Sequence, residues 1–235
     1  MSSQASPAMR GVLLGAQLGL ARLRHRRTAT ALLLAFAVTI AGAWIELAAS
    51  SLGAVDRALA GTFRVVIPLL SLALVSRAGT AEGMAAGAYP LARYGVPRFA
   101  VAIGLASSAA VFTAFASAVL AALTVVLAHS PAAPPLARDL LLSSWIGVLA
   151  GLAYAAWLSF GSTYLRGRGR WLLLAIDFFI GGSTGLAGAL LPRAHTGSLL
   201  ALSPAPLALP APASIAALLA MTALLLLATG SRAGR

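Results

Sequence analysis

Long apolar runs alternate along the chain with short gaps that hold nearly all of its charge. The runs fall at about 29–49, 59–77, 98–128, 139–163, 171–191 and 212–230. Each is near the roughly 20 residues that a helix needs to cross a hydrocarbon core about 30 Å thick. Backbone polar groups in lipid must be satisfied internally, so each run is predicted to be a transmembrane helix. The expected fold class is all-α, a polytopic integral membrane protein of six transmembrane helices. Six spans taken from 235 residues leave too little chain for a soluble domain.

Ahead of the first run, residues 1–9 are small and polar and are expected to be disordered. Residues 10–27, RGVLLGAQLGLARLRHRR, set Val12, Leu13, Leu20 and Leu23 among arginines concentrated at the end of the segment. This reads either as an amphipathic interfacial helix, with arginines at anionic head groups and leucines in the acyl boundary, or as a basic flank that only fixes topology. The expected organisation is thus a disordered 1–9, an interfacial helix over 10–27, a six-span domain over 28–230 and a tail at 231–235.

Composition agrees with a membrane chain: 60% of residues are hydrophobic, 9% are charged and the mean hydropathy is +0.93. The net charge of +12 would suit a nucleic-acid partner were it not for its distribution. Arg10, Arg22, Arg24, Arg26 and Arg27 precede the first run; Arg77, Arg93 and Arg98 lie between the second and third. Arg166, Arg168 and Arg170 separate the fourth from the fifth, and Arg232 and Arg235 close the chain. The alternate gaps hold only Arg57, Arg138 and Arg193. Positive residues kept in alternate short loops orient a membrane protein, so both termini are predicted to be cytoplasmic in a multi-pass protein of the inner membrane. The first run is too long for the apolar region of a cleavable signal.

Polar residues inside the runs are the candidate intramembrane charges. Glu46 and Arg64 are both expected towards the outer ends of their helices, where they pair with each other, reach the head groups or contact a substrate. Asp177, about two turns into the fifth run, is expected to form a structural ion pair with Arg166, Arg168 or Arg170 rather than to relay protons. Pro68 is expected to kink the second span. Small residues recur every fourth position at Ala110, Ala114 and Ala118, at Gly147, Gly151 and Ala155, and at Gly181 and Gly185. Such stripes let membrane helices approach closely, within one subunit or at a dimer seam.

Two gaps are longer than a turn requires. In 77–98, RAGTAEGMAAGAYPLARYGVPR, the stretch Ala81 to Ala88 and then Pro90 to Arg93 reads as a short helix broken by Gly87 and Pro90, either a docking device or a solvated connector. In 192–212, Leu199, Leu200 and further leucines are interspersed with prolines, which bar a continuous helix. That gap either dips into the membrane from outside or is an exposed proline-rich loop.

Several chemistries are excluded. A Walker-type ATP site needs a lysine on the phosphates, and all 17 basic residues are arginine. The absence of cysteine removes disulfides, thiolate metal sites and cysteine nucleophiles. His25, His129 and His195 are too scattered for a metal centre, so no metal or cofactor is expected. Gly181-Gly182-Ser183-Thr184 lacks the glycine that follows the serine in rhomboid proteases, and the only downstream histidine lies in the outer gap. The chain is not expected to be an enzyme.

What remains is transport or a scaffold. RLRHRRTATALLLAFAVTI at the entry, LAGTFRVVIPLLSLALVSRAGTAEGMAAGAYPLARYGVPR across the second run and its loop, and the apolar proline-containing outer gap resemble the type 2 ATP-binding-cassette transporter permeases. Those permeases have six spans, cytoplasmic termini and an amphipathic helix before the first span. The resemblance places Glu82, Gly83, Tyr89, Pro90, Arg93 and Arg98 in a coupling helix that seats in a groove of a nucleotide-binding ATPase subunit. It implies a permease that pairs with a second permease subunit, identical or not, and exports a substrate using that ATPase. The apolar, alanine-rich interior suits a hydrophobic or lipid-like compound. The alternatives are a non-transporting membrane scaffold or assembly subunit, and a secondary carrier, for which no internal repeat is found.

Overall fold

A computed structural model describes residues 6–130, 135–182, 186–201 and 209–235, and these residues form helices and turns without a strand. Five helices are long and apolar enough to cross a membrane: Arg26–Ala49, Ala54–Ala78, Arg98–Ala128, Leu136–Gly161 and Ala211–Ala233. They coincide with five of the six predicted runs.

The chain enters through α1 (Pro7–Leu23), started by Pro7 and by the Ser6 side chain, which accepts the Met9 N–H at 3.3 Å. The helix therefore begins inside the segment expected to be disordered; residues 1–5 lie outside the described part. After a turn, the His25 side chain accepts the Arg27 N–H at 3.4 Å and starts α2 (Arg26–Ala49). The second crossing combines α3 (Ala54–Gly61), a π-helical turn at Thr62–Val66 and α4 (Ile67–Ala78) in one rod of 25 residues. Pro68 has no N–H for the Arg64 carbonyl, and the wider π-helical turn lies just before it.

The remaining elements are α5 (Met84–Ala92), α6 (Arg98–Ala128), α7 (Leu136–Gly161), α8 (Gly169–Ile180), α9 (Leu186–Ala189), α10 (Pro192–Leu199) and α11 (Ala211–Ala233). The core is built around α6. Its partner α7 comes so close that a Cβ on Gly151 would sit 2.7 Å from Ala114 Cα, and one on Gly147 would sit 2.8 Å from the Ser117 carbonyl oxygen. The small-residue stripes of these two helices are thus an internal seam. On another side Gly15 of α1 faces the Val101 backbone, and Gly104 of α6 faces the Val12 carbonyl.

This contact adds a protein-facing side to the segment 10–27. Gly11 lies against Ala100 and Gly19 against Ser108, so α1 runs alongside the first three turns of α6 and parallel to it. Its buried side is Gly11, Gly15, Gly19 and Leu23, while Met9, Leu13 and Leu20 are exposed. A stripe of glycines, rather than a leucine face, is what the helix hides, because only glycine permits this backbone-to-backbone approach.

The register follows from a buried hydroxyl pair, Thr62 to Thr124 at 3.0 Å. Counting from it along antiparallel helices sets Ala78 level with Ser108, so the first ten residues of α6 project about 15 Å beyond the end of α4. Helices α1 and α5 and the last turns of α11 gather on this projection. Arg232 of α11 lies 3.8 Å from the centre of the Tyr164 ring, which puts the C-terminus at the same end as the turn after α7.

That placement means that between Gly161 and Pro210 the chain returns from one end of the bundle to the other, and the described residues there form short helices. The predicted span 171–191 is not one helix: α8 has 12 residues, or about 18 Å, and ends at Gly181. Short α9 and α10 follow; residues 183–185, including Gly185 of the expected small-residue pair, lie outside the described part. Of the gap 192–212, Pro192–Leu199 is helix α10, with His195 and Thr196 buried; residues 202–208 lie outside the described part.

The first and last crossings are lightly packed. Leu33, Leu34, Trp44 and Ile45 of α2 and Leu224 and Leu227 of α11 are exposed. Hydrocarbon solvates such faces where water would not.

Candidate functional site

The gap singled out in the sequence lies at the arginine-rich end, and it is held by arginine side chains on backbone carbonyls. Arg22, at the end of α1, donates to the Ala78 and Gly79 oxygens at 2.9 and 2.8 Å and to the Gly87 oxygen at 3.2 Å. The first two close α4, where carbonyls lack helical partners and the helix dipole favours a cation. Burial draws the Arg22 pKa down from its ordinary value; the guanidinium still carries its charge. Arg170 donates to the Thr80 and Ala81 oxygens at 3.1 and 3.0 Å. Arg98 donates twice to the Ala85 oxygen, at 3.3 and 3.2 Å.

A second device presses this gap against the turn after α7. Gly83 has φ +102° and ψ −173°, a conformation essentially reserved for glycine, and its Cα faces the Ser162 carbonyl. The Met84 N–H donates to the Ser162 hydroxyl at 3.3 Å. From the other side Gly167, with φ +83°, comes so near that a Cβ would lie 2.5 Å from the Ala81 oxygen. Leu165 and Arg166 just before it are also left-handed, with φ 51° and 50°. The two arginine-bearing turns therefore meet backbone to backbone.

Helix α5 rests on this base. It buries Met84, Gly87 and Ala88 and turns Tyr89, Pro90 and Arg93 outward. Glu82 is exposed at its entry, Tyr94 is exposed past its end, and the Arg93 guanidinium lies 5.9 Å from the Tyr89 ring centre. The expected break at Gly87 and Pro90 is absent. Gly87 instead admits the Arg22 guanidinium and the Gly79 backbone at 3.1 Å, and Pro90 falls close enough to the last turn that the helix runs through it. Of the docking residues expected from the sequence, Glu82, Tyr89, Pro90 and Arg93 are exposed, whereas Gly83 is buried.

The intramembrane charges find other partners than expected. Glu46 pairs with Arg57 at 2.7 Å, not with Arg64. The short turn between α2 and α3 brings Arg57 back over the end of α2, where it also donates to the Ser50 and Leu52 oxygens at 2.8 Å. Arg64 lines a cleft with Pro68, Trp171 and Phe178.

Asp177 is buried, and its carboxylate accepts the Tyr154 hydroxyl at 2.9 Å and the Arg193 backbone N–H at 3.2 Å. The expected ion pair with Arg166, Arg168 or Arg170 is absent: Arg170 is spent on the 80–81 carbonyls, and the other two are exposed. Arg193 lays its guanidinium 4.9 Å from the Phe178 ring centre and donates to the Phe178 oxygen. Asp177 of α8 therefore caps the first turn of α10 and ties the two helices together.

Among the described residues no group of three or more histidine, aspartate or glutamate side chains is arranged to hold a metal. Sequence reading missed Arg22, Arg170, Ser162, Gly167, Tyr154 and Arg193 as partners. The arginines were visible as clusters, but their acceptors are main-chain carbonyls, which leave no mark on a sequence. No protein-family model matches the chain, and neither does any curated protein or solved structure.

Proposed function

We propose that this chain is the membrane-spanning permease subunit of an ATP-binding-cassette exporter that moves a hydrophobic or lipid-like compound with a separate ATPase subunit. The observation that supports it most is the build of α5: a short helix with an exposed Tyr89, Pro90 and Arg93, braced from beneath by Arg22, Arg98 and the Gly83–Ser162 contact. A lever that passes motion from a partner to the spans needs this combination of an outward contact face and a stiff footing.

In this reading the molecule crosses six times, the fifth time in the α8 to α10 pieces, and the basic end with both termini is cytoplasmic. ATP-driven closure of the ATPase pair pushes on residues 82–93. Ser162 and Arg170 carry the push to α7 and α8, and Arg22 carries it to α1 and α4. A second permease subunit completes the pathway.

The test is affinity purification of the tagged chain from its native host, with wild type beside Glu82→Lys and Arg93→Glu, scored for a co-purifying ATPase with a Walker motif. The expected result is an ATPase with wild type that is lost from both variants. An ATPase absent from every sample would favour the scaffold reading.

A further inference from the structure

At the end opposite the arginine cluster, a cavity of about 260 Å³ opens between the start of α3, the start of α7 and the end of α10. Asp56 and Asp139, two of the five acidic residues of the chain, both line it. No arginine is among the described residues of its lining. Of the two basic residues adjacent in sequence, Arg57 is turned to Glu46 at 2.7 Å and Arg138 is exposed outside the cavity.

Helix capping would be the ordinary use of an acidic residue in a first turn. Both aspartates lie in first turns, where the helix dipole favours them, but neither is held by a partner: α3 and α7 have no side-chain cap, and among the described residues neither Asp56 nor Asp139 has a hydrogen bond or ion pair. A third group points to a ligand independently. Ser143, 5% exposed, lines the same cavity with a hydroxyl that has no hydrogen-bond partner, although a buried serine in a helix ordinarily bonds the carbonyl four residues back. Val55, Leu59, Leu142, Ile146 and Leu199 supply apolar walls.

We infer that this cavity binds a small organic cation, an ammonium group on a compact apolar body. The ammonium sits between Asp56 and Asp139 and donates to the Ser143 hydroxyl, and the body rests on the leucine and isoleucine walls. An ammonium offers donors to acceptors that otherwise lack them, and two unpaired carboxylates on a chain of net charge +12 are a local field that attracts a cation. The apolar walls disfavour a hydrated divalent ion, which requires a shell of oxygen ligands. The inference is independent of the permease reading, because it concerns binding by the chain alone.

Isothermal titration of the purified full chain in phosphatidylcholine nanodiscs tests it, with phenethylammonium as probe. 2-Phenylethanol lacks the charge and methylammonium lacks the body. The expected result is saturable binding of phenethylammonium, at least about tenfold tighter than either control, a step of the size that charge-assisted hydrogen bonds supply. Asp56→Asn combined with Asp139→Asn abolishes the preference, and Ser143→Ala weakens it by about threefold. Unchanged melting temperature and gel-filtration profile show that the variants fold. Competition from phosphatidylethanolamine added to the nanodisc would identify the ammonium as that of a lipid head group, and lack of competition would identify a free compound. Equal binding of the alcohol, indifference to the double variant, or displacement by calcium would overturn the inference.

Discussion

The two ends of the molecule use charge in opposite ways. At the arginine-rich end, Arg22, Arg98 and Arg170 have no carboxylate partner among the described residues and are spent on main-chain oxygens, seven donor contacts that tie α1, α6 and α8 to the 78–87 segment. At the opposite end Glu46 and Arg57 form a partly exposed ion pair, while Asp56 and Asp139 have no partner among the described residues around a cavity. A guanidinium presents five donors in a planar fork, and a helix end presents several unpartnered carbonyls, so arginine can brace a fold without a counter-ion. A carboxylate has only acceptors and needs a donor brought to it. One end is thus built for stiffness, and the other keeps its charges available.

Substitutions at the two ends sharpen that contrast. The largest effect belongs to Gly83→Val. It combines a backbone conformation that only glycine tolerates with a clash against the Ser162 carbonyl, and is expected to cost about 4 kcal/mol. In a detergent thermal scan it should lower the melting temperature severely or prevent purification of a monodisperse protein. Val at the exposed, positive-φ Gly95, where an added Cβ meets nothing, should cost distinctly less.

Next is Arg22→Ala, which leaves the Ala78, Gly79 and Gly87 oxygens without their donor at a cost of about 3 kcal/mol. Lysine should recover less than half of this, because its single ammonium cannot span α4 and α5 together. Hydrogen exchange should rise in α5 in both variants; unchanged exchange there would remove the case for a braced lever.

The smallest effect is expected for Glu46→Gln. Its ion pair is about a third to two-fifths exposed, so loss of the charge should cost less than about 1 kcal/mol, and less still at high salt. A change comparable to that of Arg22→Ala would mean that the opposite end is as rigidly held as the basic one.

Much of the fold is legible in the residues, because hydrophobic length and helix punctuation are local. Five crossings stand close to where the apolar runs predict them, and the Gly147–Gly151 stripe meets the Ala114 region as small-residue spacing implies. The fifth run was legible as apolar but not as broken: nothing in LLLAIDFFIGG announces that Asp177 will serve Arg193, sixteen residues ahead. The role of α1 was hidden differently. Gly11, Gly15 and Gly19 were in plain view, but a glycine stripe has meaning only once a second stripe, at Gly104 on α6, is known to face it. At the candidate site, the outward residues Glu82, Tyr89, Pro90 and Arg93 could be picked from the gap, whereas the brace beneath them could not.

By itself, then, the sequence determined the membrane class, the place of five long apolar helices and the gathering of positive charge in alternate gaps. These follow from hydropathy, which each residue carries wherever the chain goes. Tertiary structure alone decided which charge meets which partner: Arg57 rather than Arg64 on Glu46, Tyr154 and a backbone amide on Asp177, and carbonyls rather than carboxylates on Arg22 and Arg170. A hydrogen bond reaches only about 3 Å, and which groups come within that distance is set by how helices far apart in sequence pack.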